Sequence, residues 1–257
     1  LRGKLRNALR EGRVAFGTGI YTYSPALVEI AGYTGFDYVF IDTEHTAVDW
    51  QTLESLVRAA DVSGASSLIR VQENNEALIR KALEIGADGI LVPHVNTAKE
   101  AKRAVEYAKF PPMGVRGAAG LVRSGGYAVS NWPEYIEFSN KETVVAVMAE
   151  EPEAIENMRE IVSVKGVDII SFGPADFSIT SGVPGKTDHP RVVGALDKIV
   201  AESRRKGLAA MSPVSPPYAE RAKALMGRGV RVLTLGHDIS ILAPRWKEIL
   251  GEVKKLG

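Results

Sequence analysis

The stretch Gly35-Phe36-Asp37-Tyr38-Val39-Phe40-Ile41-Asp42-Thr43-Glu44-His45 carries the pattern that decides the fold. A glycine supplies the left-handed residue that ends a preceding helix. A short run follows that is apolar on both faces, as a parallel strand covered by helices should be. The run then breaks into polar residues. The same junction recurs at Gly86-Ala87-Asp88, Gly166-Val167-Asp168 and Gly229-Val230-Arg231. Working outward, eight runs read as strands: Val14–Thr18, Asp37–Asp42, Ser67–Val71, Asp88–Pro93, Val144–Glu150, Val167–Phe172, Leu208–Ser212 and Val230–Gly236. Helical stretches lie between or after them, at Trp50–Val62, Asn75–Ile85, Ala98–Lys109, Glu153–Val162, Val192–Lys206, Ala219–Met226 and Ser240–Lys254. This alternation predicts a closed (β/α)8 barrel, one domain over residues 1–257, rather than an open doubly wound sheet. No Gly-x-Gly-x-x-Gly stretch follows the first strand, which weakens the open-sheet alternative. One connection, Phe110–Thr143, is long enough to suggest a lid or an interface element, and it sets Arg116 and Arg123 among glycines.

Bulk composition narrows the function classes. The chain has 257 residues, 45% hydrophobic and 25% charged, an ordinary balance for a folded domain. A net charge of +1 offers no basic field for nucleic acid, and no apolar run approaches a membrane span. The charged Leu1–Arg6 start does not read as a signal core, so cytoplasm is the default expectation. With no cysteine there are no disulfides, thiolate ligands or thiol nucleophiles.

In such a barrel, chemistry sits at the C-terminal ends of the strands. Strand two ends in Asp42-Thr43-Glu44-His45, strand three carries Arg70, strand five ends at Glu150, and strand six runs into Gly173-Pro174-Ala175-Asp176. Alternation along strand five puts Glu150 on one face with Met148 and Ala146, pointing into the mouth. The same parity sends Arg70 inward with Leu68. A buried arginine needs an anionic partner, and a bound carboxylate is a natural candidate. Strands five and six are neighbours about 4.8 Å apart, so Glu150 and Asp176 could share one ion, or each could be satisfied by local backbone or lysine. Two carboxylates without thiols favour a hard cation such as Mg²⁺ or Mn²⁺. His45 could serve as a general base near neutral pH. His94 and His237 also end strands, which leaves open a histidine-bound zinc hydrolase.

Taken together these motifs resemble the HpcH/HpaI family of class II, metal-dependent pyruvate aldolases. The markers are Gly35-Phe36-Asp37 with Ile41–His45, Arg70, Gly86-Ala87-Asp88 with Leu91-Val92-Pro93, Pro111-Pro112-Met113-Gly114-Val115-Arg116-Gly117, Glu150, and Gly166-Val167-Asp168 with Phe172–Asp176. The resemblance implies that Glu150 and Asp176 bind one divalent ion (Mg²⁺, Mn²⁺ or Co²⁺). It implies that Arg70 binds the oxo acid and steadies the enolate, and that His45 is the base, acting through a bound water. Glu84 would support that histidine from a neighbouring subunit, and the backbone at Ala175 and Asp176 would hold the substrate carboxylate. The implied reaction cleaves a 4-hydroxy-2-oxo acid to pyruvate and an aldehyde, or runs in reverse. The implied assembly is a homo-hexamer, a trimer of dimers, with an exchanged C-terminal helix. A related enolate-forming lyase with another electrophile, or a non-catalytic oxo-acid-binding homologue, stays open. Departures from the family pattern are Met148 in place of a glutamine, Gly19 in place of a tryptophan, and His94, Ser212 and His237 at usually apolar or small positions.

Overall fold

The glycine–acid junctions turn out to be the points where one strand is tied to the one before it. Gly35, Gly86, Gly166 and Gly229 have φ of 103°, 97°, 96° and 104°, a region that favours glycine. Past each turn the acid faces back. Asp37 Oδ2 accepts from the Phe16 N–H, Asp88 Oδ2 from Ser67 and Asp168 Oδ2 from Val145, each at 2.9 Å. The acids' own N–H groups donate to the carbonyls of those same residues. At the fourth junction Arg231 donates instead, from its N–H to the Ala210 carbonyl and from its guanidinium to the Leu208 carbonyl.

The computed structural model describes residues 3–128 and 131–256. Eight parallel strands close in chain order: β1 (Ala15–Ile20), β2 (Tyr38–Asp42), β3 (Ser66–Arg70), β4 (Gly89–Val92), β5 (Val144–Ala149), β6 (Ile169–Phe172), β7 (Ala209–Val214) and β8 (Val232–His237). The helices among the described residues are α1 (Lys4–Glu11), α2 (Pro25–Tyr33), α3 (Trp50–Ser63), α4 (Glu76–Glu84), α5 (Ala98–Ala108), α6 (Trp132–Glu142), α7 (Pro152–Glu156), α8 (Met158–Ile161), α9 (Pro174–Thr180), α10 (Pro190–Arg205), α11 (Tyr218–Arg228) and α12 (Asp238–Lys254). The predicted barrel is therefore present, and no described helix is long and apolar enough to cross a membrane.

Strand parity sorts the core into two layers. Tyr38, Phe40, Leu68, Leu91, Ala146, Met148, Ile169, Ala209 and Met211 fill the barrel interior. Val39, Ile41, Ile69, Val145, Val147, Ala149, Ile170 and Leu233 face the helices. Each fully buried aliphatic side chain contributes on the order of 1.5–3 kcal/mol through burial. Helix α1 closes the bottom: Leu5 and Ala8 join the interior cluster, and Arg6 pairs with Asp168 at 2.5 Å.

Most element ends shift by one or two residues, and the helices α1, α2, α6 and α9 were not among the expected stretches. The predicted helix Glu153–Val162 is two helices, because Asn157 breaks the turn and donates its side-chain amide to the Asn96 carbonyl at 2.9 Å. Strand β7 runs on to Val214, and α12 starts at Asp238. Over its described residues, the excursion after α5 is no lid over its own barrel's mouth. It leaves a helix end and enters β5 at the N-terminal face, and it is fastened there. Lys109 donates to the carbonyls of Asn140 and Thr143, Arg116 to the Ser139 hydroxyl, and Arg123 to the Ile85 carbonyl and to Asp61.

Candidate active site

Register puts Asp42 of β2 directly opposite Arg70 of β3. Both are inside, with Asp42 1% and Arg70 5% exposed. Arg70 Nε donates to Asp42 Oδ1 at 2.7 Å, and its Nη1 lies 3.1 Å from Glu44 Oε2. The guanidinium rests over the Phe40 ring, 5.4 Å from its centroid. Burial alone would lower the Arg70 pKa, but the hydrogen bond and charge of Asp42, with Tyr21 and Glu44 behind it, hold it above the usual arginine value. The anionic partner that a buried Arg70 needs is thus supplied within the chain, by the neighbouring strand and by the turn after it.

Asp42 also shapes that turn. Its two oxygens accept from the backbone N–H groups of Glu44 and His45, each at 3.2 Å. Thr43 and Thr46 donate their hydroxyls to the carbonyls of Arg70 and Asp42 at 2.6 Å. His45 emerges exposed on this fixed turn, its Nε2 3.6 Å from Glu44 Oε2.

Across the mouth, Glu150 follows β5 and is 2% exposed. Its Oε1 accepts from the His94 backbone N–H at 2.9 Å. Burial raises the Glu150 pKa above the ordinary carboxylate range, His94 lowers it in part, and the nearby charges of Asp176 and Glu44 push it up further. Asp176 sits in the first turn of α9. Among the described residues its carboxylate has no hydrogen-bond donor and no lysine or arginine partner. The backbone between them leaves room: a Cβ on Gly173 would lie 2.7 Å from Glu150 Oε2. Two carboxylates at one mouth, one almost buried and neither paired with a lysine or arginine among the described residues, are a donor set that fits a hard divalent cation. Among the described residues no three histidine, aspartate or glutamate side chains form a ready cage, so protein ligands beyond these two are not at hand.

Ala175 and Asp176 stand at the start of α9 behind Pro174, where helical N–H groups have no partner four residues back. Such donors suit a carboxylate. Glu84 is elsewhere. It closes α4 at the N-terminal face of the barrel and pairs with Arg80 at 3.3 Å. Within one chain it and His45 belong to opposite ends.

The departures from the family pattern now have places. His94 adopts φ 52° and is ringed by acids, with Glu151 Oε1 at 3.0 Å, Glu44 Oε1 at 3.2 Å and Glu150 Oε1 at 3.4 Å. Burial alone would lower its pKa, yet those carboxylates raise it. His237 takes different neighbours. Its ring stands edge-on to Tyr21, centroids 4.9 Å apart, over Gly19. The histidines therefore do not gather into one zinc-type cluster. Ser212 shares the outer face of β7 with Ala210 and Val214, and Pro213 takes the inward position instead. Met148 lies in the interior beneath Glu150.

Sequence reasoning missed Asp42 as the anchor of Arg70, and it missed Tyr21 entirely. Counting the parity of strands two and three together would have found the first. Tyr21 had no signal, since it lies one residue beyond a glycine-rich strand end.

Comparison with known proteins places the chain in a family. A profile of the HpcH/HpaI aldolase/citrate lyase family matches residues 20–244. The chain is 32% identical to the pyruvate aldolase of Rhizobium etli, covering 93% of this chain and 92% of that one. It is 31% identical to the 4-hydroxy-2-oxo-heptane-1,7-dioate aldolase of Shigella sonnei, covering 96% and 95%. The crystal structure of an HpcH/HpaI aldolase from Desulfitobacterium hafniense superposes with a TM-score of 0.93 at 30% identity, over 98% of this chain and 97% of that one.

Proposed function

Since the chain belongs to the HpcH/HpaI aldolase/citrate lyase family, we propose that it is a pyruvate-dependent aldolase that cleaves a 4-hydroxy-2-oxo acid into pyruvate and an aldehyde, or joins them in reverse. The observation that carries the reading is the mouth itself. A guanidinium held rigid by Asp42 and Glu44 stands in the same opening as the carboxylates of Glu150 and Asp176, which have no lysine or arginine partner among the described residues. The names of the relatives point to the same substrate class.

The residues divide the work by charge. Glu150 and Asp176 would hold one Mg²⁺, Mn²⁺ or Co²⁺, which when bound would act as a Lewis acid on the 2-oxo group. The backbone N–H groups of Ala175 and Asp176 orient the substrate carboxylate. His45 takes the proton of the C4 hydroxyl. The C3–C4 bond then breaks, the aldehyde departs, and the electron pair moves through C3 to the oxygen on C2. Arg70 stabilises the charge growing there, and its fixed geometry means little reorganisation is needed as the charge forms. A proton delivered to C3 gives the methyl group of pyruvate.

Assembly is part of the same reading. Glu84 can support a His45 only in a neighbouring copy. Helix α12 leaves Trp246 66%, Leu250 54% and Val253 59% exposed, an apolar face suited to exchange between subunits of a hexamer built as a trimer of dimers. The decisive experiment is a retro-aldol screen of 4-hydroxy-2-oxo acids with coupled pyruvate detection, with and without added divalent ions. Exchange of pyruvate methyl protons for deuterium without any aldol cleavage would favour an enolate-forming lyase with another electrophile. Oxo-acid binding with neither reaction would favour a non-catalytic homologue.

A further inference from the structure

We propose that Tyr21 is a catalytic residue of this mouth, donating its phenolic hydrogen to the same ligand oxygen that Arg70 engages. The inference rests on the aldolase reading of the site but concerns a residue outside that reading. Tyr21 follows β1, and its ring enters the barrel interior, where it packs on the inner cluster and lies 6.4 Å from the Phe40 ring. Its hydroxyl accepts from Arg70 Nη2 at 3.3 Å. It has no other hydrogen-bond partner among the described residues, so its own hydrogen remains to be given. The groups that bear on the phenol are Asp42, Arg70, Glu44 and Asp176, which are the walls of the mouth. A donor that accepts from a cation is polarised toward donating.

The ring is fixed from two sides. The Tyr21 N–H donates to Asp238 Oδ1 at 3.0 Å, and the next residue, Thr22, donates its N–H and hydroxyl to Oδ2 at 2.9 and 2.6 Å. His237 packs edge-on to the ring from β8. That packing requires a bare glycine below, since a Cβ on Gly19 would fall 2.1 Å from His237 Cδ2. Gly19 makes room for His237, His237 packs on Tyr21, and Tyr21 accepts from Arg70, so the four are in contact one after another. Burial, with the surrounding carboxylates, pushes the phenol up to about 12, so it stays a neutral donor throughout the working range. No proton leaves it: the bond it makes is a hydrogen bond to an oxygen gaining negative charge.

The test is Tyr21→Phe, which keeps the ring and its contact with His237. Two readouts are measured with Mn²⁺ present: the Kd of oxalate, a mimic of the planar enolate, by calorimetry, and the rate of pyruvate methyl deuterium exchange. Losing one hydrogen bond to a charged oxygen is expected to weaken oxalate about tenfold and to slow exchange by about tenfold or more. In a double variant with Arg70→Lys, the two losses should fall short of multiplying, because both donors serve one oxygen. Oxalate affinity and exchange in Tyr21→Phe within twofold of wild type would overturn the assignment while leaving the aldolase reading intact. Wild-type protein that binds oxalate, shows the Tyr21 effect on it, yet exchanges no deuterium would sink the aldolase reading and keep Tyr21. Wild-type protein that binds no oxalate refutes both.

Discussion

Replacing Asp42 with alanine should destabilise the protein by about 3 kcal/mol, and the structure says why. The Asp42 side chain is wholly buried and that of Arg70 is 6% exposed, with 2.7 Å between their paired atoms. Removing one member of a buried pair typically costs 3–5 kcal/mol, because the other charge is stranded. Here Glu44 stays 3.1 Å from the guanidinium and keeps part of the compensation, which sets the expectation at the low end. The two backbone N–H groups that Asp42 receives lie beside an open mouth and can turn to water, so they add little. For a chain of this size, each kcal/mol shifts the melting temperature by roughly 2–4 °C, so Asp42→Ala should melt about 6–12 °C lower. Asp42→Asn keeps an acceptor for Arg70 Nε and should lose about half as much. Calorimetric melting of the three proteins at one concentration and pH reads the difference. If Asp42→Ala melted within 2 °C of wild type, Arg70 would not depend on this carboxylate. The mouth would then present no preset guanidinium.

Other consequences are equally open to measurement. Glu150 has a raised pKa, so as pH climbs the unfolded chain ionises first and stability is lost through that rise; in metal-free protein Glu150→Gln should flatten the loss, raise the neutral-pH melting temperature by a few degrees, and abolish any stabilisation by Mn²⁺. Burial pushes Lys109 down to about 8 from 10.5, so between those values the unfolded state binds the extra proton and wild-type stability should rise with pH relative to Lys109→Met, as urea titrations at pH 8 and 10 would show. Gly19→Ala must displace the His237 ring and should cost about 1–3 kcal/mol by denaturant melting, most of it recovered in Gly19→Ala/His237→Ala. Ending the chain after His237 should leave an assembly smaller than wild type by light scattering, because the apolar face of α12 is gone.

The barrel could be read in advance because its signals are local. A helix-ending glycine, an acid and a run apolar on both faces occupy a few adjacent residues, and period-two alternation then fixed which side of β3 and β5 faced inward. Residues on the ends of single strands, such as Arg70 and Glu150, were legible for that reason. The excursion was not, since its attachment to the N-terminal face depends on Lys109, Arg116 and Arg123 finding carbonyls and hydroxyls far along the chain. The end of β7 was not legible either: the strand continues to Val214, two residues past the expected Ser212, with Ser212 on its outer face.

What sequence could not show was which groups neutralise each other, and that governs the chemistry. Arg70 alone looks like an unpaired cation waiting for substrate. Held by Asp42 and Glu44, it is a cation offset by two carboxylates, with less net attraction for a resting anion but a fixed direction for its remaining N–H groups. Such a cluster binds weakly where charge is diffuse and strongly where charge concentrates on one oxygen. Glu150 and Asp176 have the opposite arrangement, two negative groups with no lysine or arginine between them. A cation held by both would relieve their mutual repulsion beyond what His94 already offsets beside Glu150. On the proposed reading, a 2-oxo acid spanning both sides would meet a bound metal ion on one and, on the other, a guanidinium already oriented for the product of electron flow. That asymmetry favours charge moving onto the C2 oxygen over tight holding of the ground state, the direction an enolate-forming enzyme needs.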